Sequence, residues 1–156
     1  MKSKPEFTIR TYADNDWSAV CVVHDLARPL ELEGSCDPRA FVPLAEEKED
    51  IADFNESSKF VAEIAGEVVG FSGVKDNVVT WLYVKPEFAG NGIGKQLLLS
   101  ALELIDGEAF TYVLAGNEIA LKVYTMFGFT KSLEFDSDCA GYPCTCLKLV
   151  KAAANA

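Results

Sequence analysis

Apolar positions repeat along this chain with two periods, and the switches between them lay out the fold. Phe7 to Tyr12 alternates, with Phe7 and Ile9 on one face, and reads as a first strand. Asp14 or Asn15 then caps a helix from about Asp16 to Ala27 that buries Trp17, Val20 and His24, and Arg28-Pro29 ends it. Leu30 to Asp37 reads as loop. Pro38 opens a second helical region through Phe41, Leu44, Ile51 and Phe54. Its acidic middle, Glu46-Glu47-Lys48-Glu49-Asp50, is a solvated face or a break between two short helices. Three strands follow: Lys59 to Ile64, Val68 to Val74 after the turn Ala65-Gly66-Glu67, and Val78 to Val84 after Asp76-Asn77. Their short connections predict an antiparallel meander.

Past Trp81-Leu82-Tyr83-Val84 the period changes. Pro86 cannot donate to a ladder and ends the strand. Gly90, Gly92 and Gly94 follow at every second position, and Ile93, Leu97, Leu98, Ala101, Leu102 and Ile105 then repeat with helical period, closing near Asp106-Gly107. Phe110 to Leu114 is a further strand, and Asn117 begins a helix that runs through Phe127. Phe129 to Phe135 and Thr145 to Val150 read as a closing hairpin with a long loop. The tail, Ala152 to Ala156, has nothing to bury and should fray.

A glycine-rich loop between a strand and a helix start has a physical use. The first amides of a helix lack intrahelical partners, and the helix dipole favours negative charge there. Without Cβ atoms the backbone can approach an anion closely, which makes a pyrophosphate cradle. Two nucleotide cradles fit the spacing poorly. A Walker loop needs a hydroxyl after Gly-Lys, and Gly94-Lys95 is followed by Gln96. A dinucleotide fingerprint needs G-x-G-x-x-G in the first strand–helix unit, and here G-x-G-x-G lies past mid-chain.

Composition narrows the classes further. At 156 residues, 49% hydrophobic and 24% charged, the chain suits one globular domain with its own core, spanning 1–156. No apolar run reaches the roughly 18 residues a membrane helix needs, and MKSKPEF lacks an apolar signal segment, so the expected location is the cytoplasm. A net charge of −10 argues against a nucleic-acid partner and is compatible with a cationic one. Cys21, Cys36, Cys139, Cys144 and Cys146 are odd in number and lack paired C-x-x-C knuckles, so they read as reduced thiols and not as a metal site.

The segment Ala89-Gly90-Asn91-Gly92-Ile93-Gly94 resembles the acetyl-CoA motif of the GNAT superfamily of N-acetyltransferases, Arg/Gln-x-x-Gly-x-Gly/Ala between a strand and a helix. Asn117, Ala120, Tyr124 and Gly128-Phe129 resemble a second family segment, N-x-x-A-x-x-x-Y-x-x-x-G-F, in the right order downstream. The resemblance covers residues 60–130 strongly and the first third in layout only. It implies an α/β fold with a mixed, mostly antiparallel sheet of about seven strands. It implies an acetyl-CoA-dependent N-acetyltransferase acting on a primary amine, a small molecule or a peptide. The cofactor residues it implies are Leu82, Tyr83 and Val84 along the pantetheine arm, Ala89 to Gly94 and Lys95 at the phosphates, and Asn117. Tyr124 is the implied general acid, able to protonate the departing thiolate. Ala89 departs from the family's Arg or Gln, whose side chain helps fix the loop. That departure favours the alternative of a non-catalytic acyl-CoA sensor, which would have no need of Tyr124; acyl transfer with a longer chain is a third option.

The base also departs from the pattern. Some family members carry a glutamate five positions before the motif asparagine, where this chain has Tyr112, and others carry a carboxylate on the fourth strand, where Val78 to Val84 has none. The expectation is an amine of low pKa, or a proton relay through water to an acid of the first half, with Glu31 and Glu33 as candidates. The acceptor's identity and the oligomeric state stay open.

Overall fold

The computed structural model describes residues 5–153, so residues 154–156 of the tail expected to fray lie outside the described residues. Seven strands form one sheet: β1 Thr8–Thr11, β2 Ser58–Ile64, β3 Glu67–Lys75, β4 Val78–Val84, β5 Ala109–Leu114, β6 Thr130–Cys139 and β7 Tyr142–Lys151. Their order is β1-β2-β3-β4-β5-β7-β6. Every neighbouring pair is antiparallel except β4 and β5, so the sheet is mixed and mostly antiparallel, as expected. Four α-helices cover it: α1 Trp17–Leu32, α2 Lys48–Glu56, α3 Ile93–Leu102 and α4 Glu118–Met126.

An irregularity in β4 decides which face each side chain meets. Gly73 pairs with Trp81 and Val74 with Val79, so Thr80 is an extra residue opposite the Gly73–Val74 step. Without it Val79 and Trp81 would share a face. With it, Trp81 and Tyr83 join the core under α1 and α2, among Val20, Val23, Phe54 and Phe71. Val79 and Leu82 meet the opposite core, with Leu98, Val113 and Tyr124. The Thr80 hydroxyl is tied to Ser57 Oγ at 2.8 Å, which anchors the bulge to the end of α2.

Three expectations need correction. First, α1 does not stop at Arg28-Pro29 but runs through Pro29 to Leu32, which makes Glu31 helical rather than part of a loop. An interior proline costs about 3 kcal/mol. The last turn offsets that by burying Leu32 completely against Leu114 and Cys144, and by seating Glu31 among three hydrogen-bond donors. Second, α3 ends at Leu102, before Asp106-Gly107; Leu104 and Ile105 continue in tighter turns to Ala101 and Leu102. Third, the last hairpin has a two-residue turn, not a long loop. Ala140 (φ 49°) and Gly141 (φ 87°) both take the left-handed conformation that tight hairpins need. The acidic stretch is a break: a short 3₁₀ turn at Leu44–Glu46 precedes α2.

Cysteines collect on the face of this hairpin under the end of α1. Cys139 and Cys144 sulfurs lie 3.5 Å apart as free thiols, and the Cys36 thiol donates to Pro143 O at 3.5 Å. Burial pushes the Cys139 thiol up to about 12, so at neutral pH it is no thiolate and oxidises slowly. Thiol titration of the protein denatured without reductant is expected to count all five cysteines. A count of three would show that a neighbouring pair had closed into a disulfide.

Candidate active site

β4 and β5 pair only at their first residues, Val78 with Phe110 and Val79 with Thr111. The Phe110 amide donates to Asn77 O and the Thr111 hydroxyl to Val79 O, at 2.8 and 2.9 Å, which clamps the strands at this end. Beyond the Thr80 bulge they part. β5 stays paired with β7 as far as Leu114, and β4 stays paired with β3 as far as Val84. The edge of β4 from Leu82 to Val84 that faces β5 therefore keeps unpaired backbone groups, the kind of edge an extended ligand can use.

The chain leaves β4 through a 3₁₀ turn at Pro86–Phe88 and enters α3 through the glycines. Gly90 and Gly92 both have φ 82°, and a Cβ on either would meet no atom within 4 Å, so both look onto open space. Among the described residues no backbone acceptor takes an amide from Gly90 to Lys95, which leaves a run of free N–H groups at the positive end of α3. Ala89 is exposed and holds nothing through its side chain. The loop is fixed instead by the Asn91 side chain, which donates to Phe88 O at 3.0 Å, and by the Phe88 and Ala89 amides bonded to Lys85 O and Pro86 O. Lys95 is exposed one turn into the helix.

Tyr124 lies on α4 at 5% exposure, with its ring edge-on to Phe129 at 5.2 Å. It faces the side of β5 that carries Thr111 and Val113. Burial pushes its phenol up to about 12; the Thr111 hydroxyl opposes this and the Glu31 charge adds to it. Asn117 caps α4, accepting from the Ala120 amide at 3.3 Å.

The other amide atom of Asn117 leads to a residue that the sequence marks only weakly. Asn117 Nδ2 donates to Glu31 Oε2 at 3.3 Å, and the Tyr83 hydroxyl donates to Glu31 Oε1 at 2.8 Å. Arg28 Nη1 also bonds Oε1. One carboxylate from α1 thus bridges the end of β4 and the β5–α4 junction, across the gap between the parted strands. Gly116 permits this, since a Cβ there would stand 2.5 Å from Gly34 O; only glycine lets the turn after α1 approach so closely. Burial and the Glu31 charge hold the Tyr83 phenol well above its ordinary range. Arg28 reaches Cys139 Sγ at 3.5 Å with its other nitrogen, and Asp50 lies within its field. Glu33, the second acidic candidate, is exposed and makes no such contact. Tyr112 is also exposed, beside Phe135. His24 is a core residue bonded to Asp25 at 2.8 Å.

The structure thus ties the end of β4, through Tyr83, and the β5–α4 junction, through Asn117, to Glu31, while Tyr124 packs with Leu82 and Leu98 in the core and the Gly90–Lys95 amides open α3. No motif in the sequence marks Arg28, Glu31 and Tyr83 as one set. Its only sequence signal was the i, i+3 spacing of Arg28 and Glu31, which Pro29 between them obscures.

The family model for "Acetyltransferase (GNAT) family" matches residues 23–129. A mycothiol acetyltransferase from Streptomyces coelicolor is 34% identical over 86 residues, a match that covers 49% of this chain and 28% of that protein. The chain therefore spans about three-tenths of the length of the curated relatives it matches. Among solved structures, a GCN5-related N-acetyltransferase from Rhodopseudomonas palustris superposes with a TM-score of 0.83 at 16% identity, covering 97% of this chain and 98% of that one. The PaiA N-acetyltransferase from Thermoplasma acidophilum, in complex with coenzyme A, gives 0.74 at 22% identity, covering 94% and 99%. At these identities the superpositions carry the fold, while the family model spans more than half of the sequence. The chain belongs to the acetyltransferase (GNAT) family, whose enzymes use acetyl-CoA.

Proposed function

We propose that the chain transfers an acetyl group from acetyl-CoA to a primary amine. The observation that carries this reading is the run of free amides at the start of α3, which follows β4 where it parts from the parallel strand β5, with a buried tyrosine packed against β5. The open space in front of Gly90 and Gly92 fits a pyrophosphate approached by backbone N–H groups. Lys95 adds a positive charge from one turn on. The β4 edge at Leu82 to Val84 and the Asn117 side chain guide the pantetheine arm into the gap. Acetyl-CoA brings the acyl group as an activated thioester. A β4 amide in the gap polarises its carbonyl and steadies the oxyanion that forms on attack. Holding amine and thioester together in one cleft supplies much of the rate. Tyr124 gives its proton to the thiolate as the C–S bond breaks. Asn91 and the Phe88 and Ala89 amides fix the loop without an Arg or Gln side chain, which supports the transferase reading over the sensor alternative.

The test is release of free thiol from acetyl-CoA in the presence of a panel of primary amines, with kcat/KM followed against pH for each amine that reacts. Neither β4 nor β5 carries a carboxylate, so the neutral fraction of the amine should limit the rate. An α-amino group, with a pKa of about 7.7–8.0, is roughly one-third neutral at pH 7.5, and a lysine-type amine near 10.4 is about 0.1% neutral. The expected result is an inflection that tracks the pKa of the acceptor. An ionisation near pH 7 that stays put whichever amine is used would show a dedicated base on the enzyme, and silence with every amine would return the sensor reading.

A further inference from the structure

A carboxylate offers about four lone-pair positions. In Glu31 three are taken: Oε1 accepts from Arg28 and from the Tyr83 hydroxyl, and Oε2 accepts from Asn117 alone. The fourth position, on Oε2, has no donor among the described residues. It lies where α1 crosses the gap between β4 and β5, and its charge is felt at Tyr124. This carboxylate is partly buried, with 22% of its side chain exposed, so it can be reached but is not simply solvated.

We propose that Glu31 is a catalytic residue that receives the attacking amine. This rests on the transferase reading above and names the chemistry at its acceptor side. The free position on Oε2 accepts an N–H of the neutral amine and points the nitrogen lone pair at the thioester carbonyl. As the C–N bond forms, positive charge grows on nitrogen, and Glu31 stabilises it because that charge is absent from the resting amine. The excess proton passes from nitrogen to Oε2, and the Tyr124 proton passes to the departing thiolate. Both groups are restored by exchange with water, Glu31 losing a proton and Tyr124 gaining one, so the cycle closes without a further reactant. Arg28 matters here, because a lone buried carboxylate would hold the resting amine as a non-nucleophilic ammonium. The neighbouring guanidinium weakens that pull.

The test needs no knowledge of the natural acceptor. S-(2-aminoethyl)-coenzyme A places an ammonium close to where charge grows in the reaction, and S-propyl-coenzyme A is its neutral counterpart. Calorimetry is expected to show that the full chain prefers the ammonium compound about tenfold, near the low end of what a hydrogen bond to a charged group is worth. In Glu31→Gln, which keeps the shape and loses the charge, the preference for the ammonium compound over S-propyl-coenzyme A is expected to vanish, whatever shared change in affinity the altered contact with Asn117 brings to both compounds. Glu31→Asp, with its carboxylate drawn back by one methylene, is expected to retain part of it. Equal binding of both compounds to the unmodified chain, or a preference that survives in Glu31→Gln, overturns the role of Glu31 and leaves the transferase reading intact. If neither compound binds the unmodified chain, the donor site itself is wrong and both proposals fall. Should Glu31→Gln fail to fold, as its thermal transition would reveal, the unmodified chain and Glu31→Asp still decide the matter.

Discussion

Tyr124→Phe is expected to leave coenzyme A affinity unchanged and to lower kcat by about 10²–10⁴-fold, the usual worth of a positioned general acid. The ring stays, so the edge-on contact with Phe129 and the burial against Val113 and Leu98 are kept, and the fold should not change. Only the hydroxyl is lost. With its pKa raised to about 12, that hydroxyl is protonated at any physiological pH and can act as a donor but not as a base. Against a free thiol near 8.5 the transfer would run uphill by roughly 5 kcal/mol, where an unperturbed phenol near 10 would stand closer to balance. The same burial also raises the thiolate that leaves inside the gap, because desolvation penalises both anions. The two values move together and the mismatch narrows. A second outcome follows from the sign of the shift. A phenol near 12 begins to lose its proton only about one unit below, so kcat should show no fall from this group between pH 8 and 10. An unchanged kcat in Tyr124→Phe, with the chemical step shown to limit turnover, removes the residue from the mechanism. An alkaline fall near 9 that disappears in the variant would mean the hydroxyl is less shielded than its position indicates.

What the sequence made legible was whatever depends on local period and local chemistry. β4 was read at its observed bounds, and the glycines and the Asn117 cap were read because each leaves a mark within a few residues. What stayed hidden depends on contacts between distant segments. Thr80 looks like one more strand residue, yet it is the extra position that turns Trp81 and Tyr83 toward α1 and lets β4 leave β5. Pro29 gave a sound local stop signal, and tertiary contacts overrode it: buried Leu32 and bonded Glu31 hold a turn that the isolated sequence would not. Glu31 therefore moved from a nominal loop to the centre of the site. Its partners Tyr83 and Asn117 lie 52 and 86 residues away, and no period or motif links them. The hairpin turn was missed for the opposite reason. Ala140-Gly141 lacks the Asn-Gly or Asp-Gly signature, and the nine paired positions of β6 and β7 force alanine to φ 49° all the same.

Gly92→Ala is expected to weaken coenzyme A binding by about 10- to 100-fold, the range set by 1.5–3 kcal/mol for a hydrogen bond to a charged group. Gly92 is the N-cap of α3 at φ 82°, its own amide is free, and a Cβ there would project into the space where the pyrophosphate is proposed to lie. The added methyl meets nothing in the protein itself, so any loss of affinity must come from the ligand or from the backbone. The backbone effect is separable. A non-glycine residue in the left-handed region costs roughly 1–2 kcal/mol, which would appear as a lower unfolding temperature and could loosen the loop. Gly107 provides the control: its φ is 92°, its Cβ direction is equally open, and it follows α3 at the far end from the cradle. Gly107→Ala should lose about the same stability and bind coenzyme A normally. Gly94→Ala is the second control, since that residue has no left-handed strain and its Cβ would touch only Val84 at 3.7 Å. It should bind nearly as tightly as the unmodified chain. If Gly92→Ala and Gly107→Ala fall together in both stability and affinity, the loss is one of general strain. If Gly92→Ala is folded and binds coenzyme A at full strength, the phosphates sit elsewhere and the free amides of α3 are not their cradle.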